Sequence, residues 1–350
     1  MRRTSLPLAG TALAAATLAA GLLAPTATAA GESPTGAAGP AGDTTCAAPD
    51  ARPTVRFLDD DSGVRNRAAG GGCTINDLID DERAWDNRGA FVAHTRKVSG
   101  SLLRADVIGP GEYARLIVTA AQSGIGGKNG PAPYDVIFDG SQESFDDWGY
   151  VGGRGFELND DGSMATGPTP PTGGLGLLWY EKEKFGDFSL RLQFRDERAD
   201  SGRSNSGVFV RFPGVDPAAN PECRTNDPAW VSVNCGHEIQ INDSAETGGN
   251  DPRKTGSVYG FADLDLAAAK PTEKGVWNDL EIRVVGQQYT VIRNGEVINE
   301  FENKPGLPFP GRPDDPGTSG RQFAEGYVGL QNHDTQSVVE FRNVRVRDLA

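Results

Sequence analysis

The stretch Cys235-Gly236-His237-Glu238-Ile239-Gln240-Ile241-Asn242-Asp243 reads as a strand whose two sides carry different chemistry. Side chains alternate across a β-strand, so His237, Ile239 and Ile241 share one side and Glu238, Gln240 and Asn242 the other. Isoleucines suit the core of a sandwich. A carboxylate and two amides in register suit a ligand, since a solvated face would more commonly carry Lys, Thr and Glu.

The same period of two recurs on both sides of this stretch. Phe188, Leu190, Leu192 and Phe194 alternate with Ser189, Arg191, Gln193 and Arg195. Leu280, Ile282 and Val284 alternate with Glu281 and Arg283, and Val344 and Val346 with Arg345 and Arg347. Tyr289 to Arg293, then Asn294-Gly295, then Val297-Ile298 predicts a hairpin closed by a type I′ turn. Short strands with frequent turns and almost no helical stripe predict an antiparallel sandwich over residues 135–350. Long excursions at 159–176, 213–234, 244–275 and 302–325 are the places where such a scaffold builds a binding surface.

Ahead of a Gly/Asn/Pro linker at 123–133 the period is helical. Thr74-Ile75-Asn76-Asp77 resembles a capping box, with Ile75, Leu78 and Ile79 at helical spacing. Phe91, Val92, Thr95, Val98 and Leu102 form a stripe, Gly109-Pro110-Gly111 breaks it, and Tyr113, Leu116, Ile117 and Ala120 begin another. Residues 46–123 are therefore expected to form a small helical module that packs against something larger. His94 reads as a surface residue of its helix, and Asp59-Asp60-Asp61 as a solvated acidic turn.

The chain of 350 residues has a net charge of −14 and a pI near 4.7, which argues against nucleic acid or an anionic membrane as partner. Arg2 and Arg3, an apolar run through Leu13, Leu18, Leu22 and Leu23, and Ala27-Thr28-Ala29 read as a cleavable signal peptide over 1–29. Residues 30–45 read as a disordered linker. An exported chain with four cysteines is expected to hold two disulfides. Local closure favours Cys46–Cys73 and Cys223–Cys235. The expected location is extracellular.

Several ordered stretches resemble the 3-keto-disaccharide hydrolase domain, a secreted relative of the concanavalin A-like jelly rolls. They are Val136-Ile137-Phe138-Asp139-Gly140 with Trp148, Asn205 to Arg211, Gly236 to Asp243 and Thr255 to Tyr259, followed by Trp277-Asn278, Asn294-Gly295, Gly329 to His333 and Phe341 to Val344. The match departs at His237, where the family often has an aromatic residue, and in the Cys-bounded loop 213–234. The resemblance implies a jelly-roll sandwich and a carbohydrate substrate, a glycoside oxidised to a ketone at sugar carbon 3. The ketone acidifies the C2 hydrogen, so a base can form an enolate that expels the C1 substituent before water re-adds. Glu238 is the expected base, and His333 the acid for the leaving oxygen or a metal ligand. Arg211 or a divalent ion is expected to steady the enolate. Asn205, Gln240 and Tyr259 would orient hydroxyls and Trp277 would stack on a sugar face.

Two rivals follow from the same residues. Glu238-x-Gln240-x-x-Asp243 keeps the spacing of the laminarinase-like retaining glycosidases, with Asp243 in the place of the acid. A regular strand would turn Asp243 away from Glu238, and retention needs the two carboxyls about 5–5.5 Å apart. A non-catalytic carbohydrate-binding module is the other rival. Glu238, Asp243 and His333 are the candidate ligands for a divalent metal, with no compact motif that demands one.

Overall fold

Two antiparallel sheets face each other across a core filled by alternate residues of their strands. The computed structural model describes residues 44–153, 155–167, 174–245 and 253–350. The signal peptide expected over 1–29 lies outside the described residues, as does the expected linker except Thr44 and Thr45. Among the described residues no helix is long and apolar enough to cross a membrane.

The first part of the chain runs β1 (Thr54–Phe57), β2 (Asp60–Arg65), β3 (Ala68–Gly70), β4 (Cys73–Thr74), α1 (Ile75–Ile79), α2 (Arg88–Arg104) and α3 (Pro110–Gln122). The capping box is present: Thr74 and Asp77 bond reciprocally at the start of α1. The three helices arise where the apolar stripes place them, and Phe91, Leu102, Leu116 and Ala120 meet Val55, Phe57 and Ile75 in one core. The two small hairpins had no counterpart in the helical reading. His94 is half-buried, bonded to Leu78 O at 2.8 Å and tilted against Trp85.

The sandwich follows as β5 (Asp135–Phe138), α4 (Gln142–Phe145), β6 (Trp148–Gly152), β7 (Phe156–Leu158), β8 (Met164–Thr166), β9 (Gly176–Tyr180), β10 (Phe188–Asp196) and β11 (Ser206–Phe212). Then come α5 (Pro228–Cys235), β12 (His237–Ile241), α6 (Leu266–Ala269), β13 (Asn278–Val285), β14 (Gln288–Arg293), β15 (Glu296–Glu302), β16 (Tyr327–Asn332) and β17 (Val339–Asp348). The larger sheet has the order β15-β14-β13-β10-β17-β8-β7, with β5 also on β17; the smaller is β12-β11-β16-β9-β6. Leu190, Leu192, Ile282 and Val346 of the larger sheet meet Val208, Val210, Ile239, Ile241 and Leu330 of the smaller. This is the antiparallel sandwich that the alternation predicts, with the jelly-roll form that the resemblance implies. Asn294 (φ 50°) and Gly295 (φ 81°) both take left-handed conformations between β14 and β15, as a type I′ turn requires. Both expected disulfides are formed, Cys46–Cys73 and Cys223–Cys235.

The outer face of the larger sheet is buried under the first part of the chain, and the contact is ionic. Arg191 pairs with Glu82 and, at 2.8 Å, with Asp279; Arg345 also pairs with Glu82. Arg347 and Arg283 converge on Asp59, at 2.8 and 2.7 Å. Asp59 stands in an exposed turn, as read from the sequence, and also serves as a docking residue. Gln193 Nε2 donates to Pro49 O, and the Tyr134 and Ser189 hydroxyls bond at 2.7 Å.

Candidate functional site

The site lies on the outer face of the smaller sheet, where alternation sends Glu238 and Gln240. In the register of β11 and β12, Gly207 lies opposite Gln240 and Phe209 opposite Glu238. Half of this face is apolar: Phe209, Phe212 and Leu177 pack under Ala229 of α5. The other half is a cleft of about 110 Å³ lined by Leu175, Asn205, Trp230, Val233, Glu238, Gln240, Tyr259, Arg312, Gln331 and His333. Five residues singled out in the sequence thus converge: Glu238, Gln240, Asn205, Tyr259 and His333.

Each is delivered by local structure. Tyr259 N donates to Glu238 O at 2.9 Å, so the segment after Thr255 runs along the edge of β12 and sets the phenol beside the carboxylate. Gln331 sits two residues after Gly329, so alternation along β16 carries both toward this face, and His333 follows just beyond the strand's end. Gln331 Nε2 donates to Glu238 Oε1 at 2.8 Å. The Gln240 amide nitrogen, turned toward Ser206 O at 2.7 Å, also reaches Asn205 Oδ1 and Glu238 Oε1, each at 3.2 Å. Glu238 is only 8 % exposed. Gly207 explains how it fits, because a Cβ there would lie 2.5 Å from Glu238 Oε1 and 2.8 Å from its Cγ.

His333 stands at the rim with a side chain 44 % exposed, and its Nδ1 bonds Asp334 Oδ2 at 3.0 Å. Burial alone would raise the Asp334 carboxyl. Hydrogen bonds from His333, the backbone N–H groups of Gln336 and Ser337 and the Ser337 hydroxyl instead hold it well below the usual carboxylate range. The ionised Asp334 orients the imidazole. Also lining the cleft, Trp230 of α5 is 37 % exposed, and Arg312 lies over Phe309 at 3.9 Å with Trp230 at 5.5 Å.

A family model described as the 3-keto-alpha-glucoside-1,2-lyase-like domain matches residues 133–347. The chain belongs to this family. Among solved structures it is similar to two candidate glycosyl hydrolases of Parabacteroides distasonis. One shares 24 % identity over 62 % of this chain and 99 % of its own, with a TM-score of 0.45. The other shares 19 % over 62 % and 94 %, with a TM-score of 0.42. It is also similar to the carbohydrate binding module CBM66 from Bacillus subtilis, at 12 % identity over 58 % and 96 %, with a TM-score of 0.35. No curated protein is significantly similar to it.

Three residues expected in the site of this lyase-like domain are placed elsewhere. Arg211 sits at a bulge of β11, where the register with β16 shifts between Val210 and Phe212 and its φ is 61°. The bulge turns the side chain off the cleft face, and its guanidinium donates to the carbonyls of Gly186, Gly286 and Phe323 and to Asp187. Its role is to tie loops together. Trp277 is on the other side of the molecule, between the guanidinium groups of Arg195 (4.6 Å) and Arg342 (4.0 Å) on the larger sheet. Asp243 takes a two-pronged ion pair from Arg293, at 2.9 and 2.6 Å, and a bond from the Thr255 hydroxyl. It lines no part of the cleft, so Glu238 and Asp243 do not form the carboxylate pair of a retaining glycosidase.

The metal set of Glu238, Asp243 and His333 fails for the same reason. Among the described residues, the one group with metal-ligand spacing is Glu222, Cys223 and Cys235, whose cysteines are joined in a disulfide. His237 is fully inside, against Phe261, Tyr289 and Phe301. Burial, then the charge of Arg321, pushes its pKa far below the usual value, so it stays neutral. Gln331, Arg312 and Trp230 were not singled out from the sequence. The phase of β16 could have found Gln331; Arg312 comes from a loop without a period, and Trp230 from the short helix α5 inside the 213–234 excursion.

Proposed function

We propose that this protein cleaves glycosides carrying a ketone at sugar carbon 3, by elimination across C1 and C2 followed by hydration. The observation that carries this reading is the convergence of Glu238 and His333, from distant parts of a chain of this family, on one cleft. Glu238 takes the C2 proton, made acidic by the adjacent ketone, and the electron pair passes to the carbonyl oxygen as an enolate. The enolate re-forms the ketone and expels the C1 oxygen substituent, leaving a C1–C2 double bond, while His333 donates a proton to the departing oxygen. Water then adds at C1, Glu238, whose proton has meanwhile exchanged with solvent, protonates C2, and the proton lost by the water restores His333. The sum is hydrolysis. Asp334 on Nδ1 directs this transfer to Nε2 of the ring.

Gln240, Asn205 and Tyr259 are assigned to the sugar hydroxyls, with Gln331 holding the base in place. The two disulfides support the expected export. The test is incubation with a 3-keto disaccharide beside its unoxidised parent, following free sugar. Release from the ketone compound alone is expected. Release from the parent would instead favour a conventional glycosidase, and release from neither a binding module.

A further inference from the structure

Among the described residues lining this cleft, Arg312 is the arginine, and its charge is not consumed by its own ion pair. Its Nη2 donates to Asp315 Oδ2 at 2.7 Å, but Asp315 is also gripped by Arg321, at 2.6 and 3.0 Å from Nη1 and Nη2. Arg321 and Asp315 are both buried, with side chains 1 % exposed. Two guanidinium groups therefore share one carboxylate, and the pair leaves a net positive charge on the cleft side. Arg312 Nε is buried without a hydrogen-bond partner, and the residue lines the cleft beside Glu238 and Tyr259. The plane of the group is fixed by Phe309. Burial holds the Arg312 pKa below its usual value; Asp315 opposes this, the charge of Arg321 adds to it, and Tyr259 and Glu238 oppose it, so the Glu238 carboxylate and the guanidinium sense each other.

We propose that Arg312 is a further catalytic residue, the group that binds the C3 carbonyl oxygen and stabilises the enolate formed from it. This rests on the reading of Glu238 as the C2 base. Before proton transfer the negative charge is on Glu238, and afterwards Glu238 is neutral and the charge is on the substrate oxygen. A fixed cation facing both therefore keeps a counter-charge throughout, and its strongest interaction arises as the enolate develops. Arg211, tied to loop carbonyls, cannot supply this charge.

The experiment compares Arg312→Gln and Arg312→Lys with the wild-type protein on a 3-keto disaccharide, measuring kcat, KM and the pH dependence of kcat/KM. Arg312→Gln should lose about 10²–10³-fold in kcat with KM changed less than about fivefold. Arg312→Lys should recover part of the loss. Among the described residues, the charged and titratable groups that line the cleft with Glu238 are Tyr259 from the edge segment, Arg312 from the loop and His333, just after β16. Removing the cation raises the pKa of the base, so the acidic limb should move to higher pH in Arg312→Gln and back in Arg312→Lys. A structural latch would change the melting temperature and leave that limb in place.

An active wild type whose Arg312→Gln variant keeps both rate and limb overturns this assignment alone, as does a variant altered only in KM. A wild type inert toward the ketone substrate overturns the functional reading, and this assignment with it.

Discussion

On the outer face of the larger sheet, Arg191, Arg345 and Arg347 meet Glu82, Asp279 and Asp59, and the first part of the chain closes over them. On the outer face of the smaller sheet, Glu238 meets amides, a phenol, an imidazole and one partly compensated arginine, and a cleft stays open above it. Both faces are polar by alternation. The first pairs opposite charges directly, so each carboxylate is worth most as structure. The second sets a carboxylate and a guanidinium along the lining of one cleft that a ligand can enter. Pairing, rather than polarity, separates a docking surface from a reactive one.

Substitutions that remove charge should accordingly affect different measurements on the two faces. Glu238→Gln removes the base and should lower kcat by ~10²–10⁴-fold while affinity and melting temperature hold, checked by turnover and calorimetry. Glu82→Gln leaves Arg191 and Arg345 with a lost partner in a buried site. It should cost about 3–5 kcal/mol of stability in urea melts with kcat of the folded fraction unchanged. Equal stability losses at the two positions would erase the contrast.

Gly207→Ala forces the Glu238 side chain to move, because the added methyl would stand 2.5 Å from Oε1. A displaced base should lower kcat by about 10²-fold with little change in the melt. Acid sharpens the docking side. Burial would raise the Glu281 carboxyl, but Arg191 and Arg283, with hydrogen bonds from Arg283 and Ser189, bring it from 4.5 to about 2. Its pKa is depressed by folding, so its contribution is complete above pH 4.5 and is lost as pH falls through about 2. Urea melts should show that loss, and Glu82→Gln should begin it from a lower plateau. The smallest effect is expected for Trp277→Phe, less than about twofold in KM, since a platform stacked between two arginines on the far sheet touches no substrate.

The sandwich was legible because its signals are short-range. Phe188 to Phe194 and Ile239 with Ile241 carry the period of two into the core, and Asn294-Gly295 carries its own turn geometry. Glu238 and Gln240 were legible as candidates for the same reason, being placed by strand phase, whereas His333 entered through the family resemblance. Arg211 was not, because one residue in a left-handed conformation breaks the phase of β11. Arg312 and Trp230 reach the cleft on loop excursions whose path is set by tertiary contacts, among them the Asp315–Arg321 pair and the packing of Ala229. The docked first segment was hidden too, since Arg191 and Arg345 in an alternating strand read alike whether they meet water or Glu82.

The central claim is that the glycosidic bond breaks through loss of the C2 proton to Glu238. The direct measurement is cleavage of a 3-keto disaccharide in D₂O, with NMR of the released keto sugar at C2 under conditions where that sugar alone does not exchange. The account predicts deuterium at C2 with the wild-type protein and no product with Glu238→Gln. Product that keeps its original hydrogen at C2 would show direct displacement at C1 and contradict it.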